Sequence, residues 1–306
     1  MGNKINYSEK LKYFLENTTL DSKVPSSYNG KKYSWYGHDT PFAFRKWEES
    51  GILDYYNKHK LSYVINNDGC RSELDFNKVI QENTPVDIYL GCSHTFGIGH
   101  LWENTWPYLV SQKTGNKIVN LGKGGAGIDF SYMRLITFIE KMNVKNVFHY
   151  QPIYSRWTVK DENSFNHIGV PSNMTDASKF FTDKYIKDNL VDYGVIANNH
   201  LKTLNAIRQV CMDYNIPYYF LETFETKFKK YPRPCLPAEN LIEYKKWLGN
   251  NTPARDLIHY PVEWLRELAN NFIEKIKDGS NGYVRNSINI PSKPNGFETS
   301  KPNHLI

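Results

Sequence analysis

The sequence is poor in the features that mark many specialised protein classes. Four cysteines, Cys70, Cys92, Cys211 and Cys235, show no CxxC spacing and are too sparse for a disulfide scaffold, which fits a reducing compartment. The nine histidines include no HExxH or HxxxH and none pairs with cysteine at ligand spacing, so no metal is expected. No stretch approaches the roughly eighteen uninterrupted apolar residues of a membrane helix. The opening MGNKINYSEK lacks the apolar run of a signal peptide. Asn6 stands where a myristoylation signal wants Ser or Thr. The expectation is a soluble, cytoplasmic protein without a membrane partner. Charge of one sign is not concentrated either. The formal net charge of +6 is spread along the chain, and clusters such as Lys227 to Lys230 are short, so no nucleic-acid partner is expected. There is no internal repeat, and oligomeric state is not legible.

What is present is a globular composition with many aromatic rings, 22 Tyr and 7 Trp among them, enough to line a groove as well as a core. Asn-, Lys- and Tyr-rich text points to an AT-rich genome, viral or bacterial. Residues 1–83 mix short helical stretches with aromatic text such as YSWYGHDTPFAFRKW and read as an N-terminal extension packed on something larger. From residue 84 to 277 strands and helices alternate. VDIYL (Val86 to Leu90) and KIVNL (Lys117 to Leu121) read as strands, each followed by a glycine-containing turn and a helix. NVFHY (Asn146 to Tyr150) and PYYFLE (Pro217 to Glu222) complete the set, with a polar, irregular stretch from Trp157 to about Ser178 between them. Such alternation predicts an α/β fold, a three-layer α/β/α sandwich with a central parallel sheet. Ligands of these sheets sit at the carboxyl ends of the strands. Pro261 opens a last helix, and residues 278–306 read as an irregular tail.

Two short segments carry chemistry. Gly91-Cys92-Ser93-His94-Thr95-Phe96-Gly97 directly follows a strand, and a serine on a strand-to-helix turn projects from the carboxyl edge of the sheet. Asp256-Leu257-Ile258-His259 precedes the last helix. An Asp and a His three apart in one loop let the carboxylate orient the imidazole while the second ring nitrogen reaches a nucleophile elsewhere. Alone, the first reads more readily as a serine helix cap and the second as an aspartate cap beside a surface histidine. Together, at opposite ends of one α/β unit, they point to Ser93, His259 and Asp256 as a hydrolytic triad.

With these residues the sequence resembles the SGNH, or GDSL-like, hydrolase superfamily from about Asn66 to Lys277. INNDGCRSE matches an Asn, Gly, Arg motif in members with an N-terminal extension, through Asn67, Gly69 and Arg71. The nucleophile block matches through Ser93, Thr95, Phe96 and Gly97, followed by ENTWP; the second block matches through Asn120-Leu121-Gly122-Lys123-Gly124-Gly125; the last through Asp256 and His259. The resemblance implies a flavodoxin-like sheet, no cofactor, and small acyl esters or acylated carbohydrate as substrates, with the N–H groups of Ser93 and Gly125 stabilising the oxyanion. Two positions depart from the pattern. Cys92 replaces the aspartate before the nucleophile, and the third block, with its oxyanion-binding asparagine, is replaced by His149-Tyr150-Gln151-Pro152-Ile153-Tyr154-Ser155-Arg156. Gln151 and Arg156 are the candidate substitutes. Losing one such donor costs about 3 kcal/mol of transition-state stabilisation, which slows turnover without abolishing it.

Other readings compete. Gly122, Gly124 and Gly127 fit GxGxxG, yet the acidic residue expected at the end of the next strand is Gln151. Cys92 with His259 is a conceivable nucleophile pair, but the residue before Ser93 is expected to point back into the sheet edge. Tyr33, Trp35, Tyr36 and Trp47 form either a sugar-stacking surface or the packing of the extension on the sheet. The same acyl-enzyme also serves an acyltransferase, and loss of the third block is compatible with a non-catalytic binding module.

Overall fold

A computed structural model describes residues 30–152, 156–160, 165–169, 193–221, 245, 248–279 and 282–283. The Lys227 to Lys230 cluster, Cys235, Glu222 and most of the 278–306 tail lie outside these, as do residues 1–29.

The N-terminal segment contains β1 (Lys31–Tyr33), α1 (Pro41–Glu48), α2 (Asp54–Lys58), β2 (Tyr63–Ile65) and α3 (Phe76–Gln81). Local capping signals start two of these helices. Thr40 caps α1 by accepting from the Ala43 N–H at 3.1 Å, with Pro41 in the first turn, and Asp75 caps α3 through the Asn77 N–H at 2.9 Å. β1 and β2 pair antiparallel, Tyr33 opposite Tyr63.

Then follow β3 (Pro85–Gly91), α4 (Ser93–Phe96), α5 (Trp106–Thr114), β4 (Lys117–Asn120), α6 (Ile128–Phe138) and β5 (Asn143–Tyr150). Next come β6 (Arg156–Lys160), β7 (Phe165–Gly169), α7 (Tyr193–Asp213), β8 (Tyr218–Leu221), α8 (Val262–Lys277) and β9 (Gly282–Tyr283). β4, β3, β5, β8 and β9 form one sheet in that order, and every neighbouring pair is parallel. The chain is therefore an α/β protein whose parallel sheet is flanked by helices. Two segments differ from the sequence reading. Within the stretch expected to be irregular, β6 and β7 pair antiparallel from Arg156↔Gly169 to Lys160↔Phe165; each is too short, with too many polar residues, to declare a period. In the tail, β9 adds to the sheet edge against Tyr219 and Phe220.

Side chains alternate across the strands, so the sheet feeds two separate cores. Ile88, Leu90, Val119 and Val147 pack with Leu135 and Ile136 of α6 and with Ile207 and Val210 of α7. Tyr89, Phe148, Tyr150 and Tyr219 pack with Trp106 of α5 and with Trp264, Leu265, Leu268 and Phe272 of α8. In α8 these buried residues recur every three or four positions, which places one apolar stripe on the sheet. Each such large side chain contributes about 1.5–3 kcal/mol when fully buried. A third cluster joins the N-terminal segment to the loops above the sheet: Leu53, Tyr56, Tyr63 and Ile65 meet Phe96, Ile98 and Leu257.

The strand order positions the site. From β3 the chain moves to β4 on one side, whereas β5 and then β8 lie on the other. The carboxyl ends of β3 and β5 thus border the crevice where connections depart in opposite directions, the usual ligand site of open α/β sheets. Ser93 follows β3 and Gln151 follows β5.

Candidate active site

The turn at the end of β3 requires glycine. Gly91 has φ +146°, and a Cβ there would stand 2.2 Å from Thr95 Oγ1 and 2.5 Å from the Tyr150 carbonyl oxygen. This close approach lets the chain fold at once into α4. Cys92 is buried in the N-cap position, and Ser93, 7% exposed, is the first helical residue. Gly97, at φ +83°, ends the single turn by donating its N–H to the Ser93 carbonyl at 2.8 Å.

The second loop is built against this one. Asn120 donates from Nδ2 to the Thr95 carbonyl at 2.8 Å and accepts the Gly122 N–H at 3.0 Å, while Lys123 N–H reaches the Gly91 carbonyl at 3.2 Å. A Cβ on Gly122 would stand 2.7 Å from Phe96 N, one on Gly124 3.2 Å from Ile98 Cδ1, and one on Gly127 2.5 Å from the Arg156 carbonyl oxygen. Close approach to backbone therefore accounts for Gly122 and Gly127 of the GxGxxG match, whereas Gly124 meets only the end of the Ile98 side chain. Gly125 lies in the same loop, exposed, at φ +78°.

The third loop holds Asp256 and His259, both buried. His259 Nδ1 lies 2.6 Å from Asp256 Oδ2, and Asp256 Oδ1 accepts the backbone N–H groups of Ile258 (3.1 Å) and His259 (3.2 Å). Burial pushes the Asp256 carboxyl up, but the His259 ring and these bonds outweigh it and leave the group below its ordinary value. Leu257 between them adopts φ +55°, uncommon for leucine, with its side chain buried against Phe96 and Ile98.

The first and third loops touch. Arg255 N–H donates to the Gly99 carbonyl at 2.8 Å, and the His94 ring lies 5.0 Å edge-on from His259 and stacks at 4.8 Å on Tyr260. Burial, then the His259, Arg156 and His100 charges, hold His94 well below its ordinary value. Among the described residues no hydrogen bond joins Ser93 to His259 directly; such contacts often tighten only when substrate binds.

Gln151 and Arg156 both approach this centre. Gly91 pairs in register with Tyr150, so Gln151 lies beside the Cys92–Ser93 turn. Its backbone N–H is held by the Leu221 carbonyl at 3.0 Å, and its Oε1 lies 3.1 Å from His200 Nε2 on α7. Arg156, partly buried, sits at the start of β6 against Gly127, and its charge reaches His94 and Tyr150.

The N-terminal segment supports the site through Arg71 of the INNDGCRSE motif and through residues that no motif named. Arg71, fully buried, donates to the carbonyls of Gly97, Phe96 (3.3 Å) and His100 (2.8 Å), gripping the loop that leaves α4. Burial lowers its guanidinium to about 10. The Tyr56 hydroxyl lies between the Gly99 carbonyl (2.8 Å) and the Pro253 carbonyl (2.7 Å), with one proton to donate between them, and Tyr63 accepts the Gly99 N–H at 2.9 Å. Asp39 pairs with Arg255 at 2.6 Å. The rings considered for sugar stacking are engaged in packing: Tyr36 stacks on Phe96 at 4.6 Å, Trp35 covers the Arg255 guanidinium at 3.9 Å, and Tyr33 and Trp47 pack on the same cluster. Local sequence carries no signal for Asp39 with Arg255 or for Gln151 with His200, because each pair closes over a long stretch of chain.

Among the described residues no helix is long and apolar enough to cross a membrane, and no group of three or more His, Cys, Asp or Glu side chains is placed to hold a metal. Comparison with protein-family models and with curated protein sequences finds no match.

Proposed function

We propose that this chain is a serine ester hydrolase of the SGNH type, built on a flavodoxin-like three-layer sandwich. The observation that carries the reading is the buried Asp256–His259 pair at 2.6 Å, in a loop bonded to the one that follows Ser93 at the switch point of the sheet. Asp256, accepting from Nδ1–H, fixes the imidazole tautomer and leaves Nε2 as the base. His259 takes the Ser93 proton as Oγ attacks the ester carbonyl, then returns it to the leaving alcohol. Water, activated by the same ring, hydrolyses the acyl-enzyme.

The arrangement of the faces supports this division of labour. His259 comes from the loop entering α8, on one side of the sheet, whereas the Gly125 loop enters α6 and Gln151 bonds to α7, both on the other. Base and oxyanion donors thus approach Ser93 from opposite sides. The N–H groups of Ser93 and Gly125 stabilise the oxyanion, Gln151 takes the place of the missing asparagine, and Arg156 adds positive potential nearby. The substrates are small acyl esters, with acylated carbohydrate one class among them.

The test is hydrolysis of p-nitrophenyl acetate with fluorophosphonate labelling. Ser93→Ala is expected to lose both, and His259→Ala to lower kcat at least about a thousandfold. Activity unchanged in both variants sinks the triad. Transfer of the acetyl group to an added sugar alcohol in preference to water makes the enzyme a transferase. A wild type silent in both assays leaves a binding module.

A further inference from the structure

The end of β5 carries a buried polar cluster that the triad does not use. His149 and Gln151 lie two apart on one side of the strand, and His200 projects towards them from α7. His149 Nδ1 is 2.8 Å from the Tyr218 hydroxyl, and His200 Nε2 is 3.1 Å from Gln151 Oε1. The two rings and the amide are all buried, at 0%, 9% and 2% exposure. Burial lowers His200 to about 4, and burial with the neighbouring His200 charge lowers His149 to about 3, so both rings are neutral at physiological pH. A neutral His200 carries one ring proton.

The geometry points to His200 as a positioning residue for Gln151: its Nε2–H donates to Oε1 and thereby fixes which end of the amide faces the Ser93 turn. This inference rests on the hydrolase reading above. A glutamine amide has a donor end and an acceptor end of nearly the same shape. Donor end towards the crevice, it stabilises an oxyanion; acceptor end there, it repels one. The Leu221 carbonyl holds the Gln151 backbone N–H, and the bond from His200 holds the amide at the end of the side chain. In this way a glutamine and a histidine from different elements do what the missing third block does with one asparagine.

The experiment is a double-mutant cycle on the full chain, with Ser93→Ala as control and 15N NMR of the histidine rings. Gln151→Ala is expected to lower kcat about a hundredfold with KM little changed, as for loss of one oxyanion donor. His200→Ala is expected to lower kcat about tenfold or more, also with little change in KM, and to add nothing in the Gln151→Ala background. His200→Gln, whose amide N–H reaches the same place, is expected to recover most of the activity. NMR is expected to show the Nε2–H tautomer of His200, in wild type and Ser93→Ala alike. An Nδ1–H tautomer overturns the inference whatever the activity, as do multiplicative losses in the double variant of a protein with unchanged Tm. Absence of any Ser93-dependent turnover removes the hydrolase reading itself and this role with it; Ser93-dependent turnover with additive losses removes only the dyad.

Discussion

Replacing Asp39 by alanine strands a buried cation beside the candidate active site. Asp39 and Arg255 are 1% and 7% exposed, and the guanidinium meets the carboxylate through Nε at 2.8 Å and Nη2 at 2.6 Å. Tyr63 donates to the same carboxylate, and Trp35 covers the other side of the guanidinium at 3.9 Å. Burial nonetheless pushes the Asp39 carboxyl up, the dehydration of the charge outweighing the attraction of Arg255. The pair is thus worth little against an apolar replacement, yet removal of one partner leaves the other charged and dry, at about 3–5 kcal/mol. For a chain of this size that lowers Tm by roughly 5–8 °C. Arg255 also donates its backbone N–H to Gly99 and precedes Asp256, so ester hydrolysis is expected to fall with stability. Urea unfolding of Asp39→Ala and of Asp39→Ala/Arg255→Met separates the two effects, because the double variant strands no charge and is expected to regain much of the loss. A single variant within about 1 kcal/mol of wild type, or a double variant less stable than Asp39→Ala, would refute this reasoning.

Two further outcomes follow from packing and titration. Gly122→Ala places a methyl group 2.7 Å from Phe96 N and Thr95 Cβ, so it is expected to cost about 1–3 kcal/mol and to slow hydrolysis; a Tm and kcat equal to wild type exclude that contact. His100, His149 and His200 are held at about 3, 3 and 4 in the folded chain, chiefly by burial, against 6.5 unfolded. As pH falls below 6.5 the unfolded chain takes up these protons first, so the stability present above that pH is lost, on the order of 2 kcal/mol per ring by pH 5. Asp39 and Asp87, both pushed up by burial, act in the opposite sense, so the measurement is the difference in Tm between pH 7 and pH 5 for wild type and His149→Gln. Equal differences in the two proteins dispose of the histidine contribution.

The strands from Val86, Lys117, Asn146 and Pro217 were legible because each is a short apolar run beside a turn signal, and α8 because its apolar residues repeat at helical spacing. β6, β7 and β9 were not, since such short strands acquire their identity only from the partner they bond to. Ser93, Asp256 and His259 could be named from sequence because the turn after a strand and an Asp–His spacing within one loop are local patterns. The glycines of the second loop form a local pattern, but the need for Gly122 and Gly127 comes from Thr95, Phe96 and Arg156 elsewhere in the chain.

By itself, the sequence determined the alternation of strands and helices, the glycine-bearing turn that carries Ser93, and the Asp256–His259 loop, because backbone conformation and periodicity act over a few residues. Only tertiary structure decided that Arg71, Tyr56 and Tyr63 grip the loop after α4, that Asp39 closes on Arg255, and that His200 meets Gln151. The physical reason is that a buried polar group must find a partner, and its partner is chosen by which surfaces the packed sheet and helices bring together, not by neighbours in the chain.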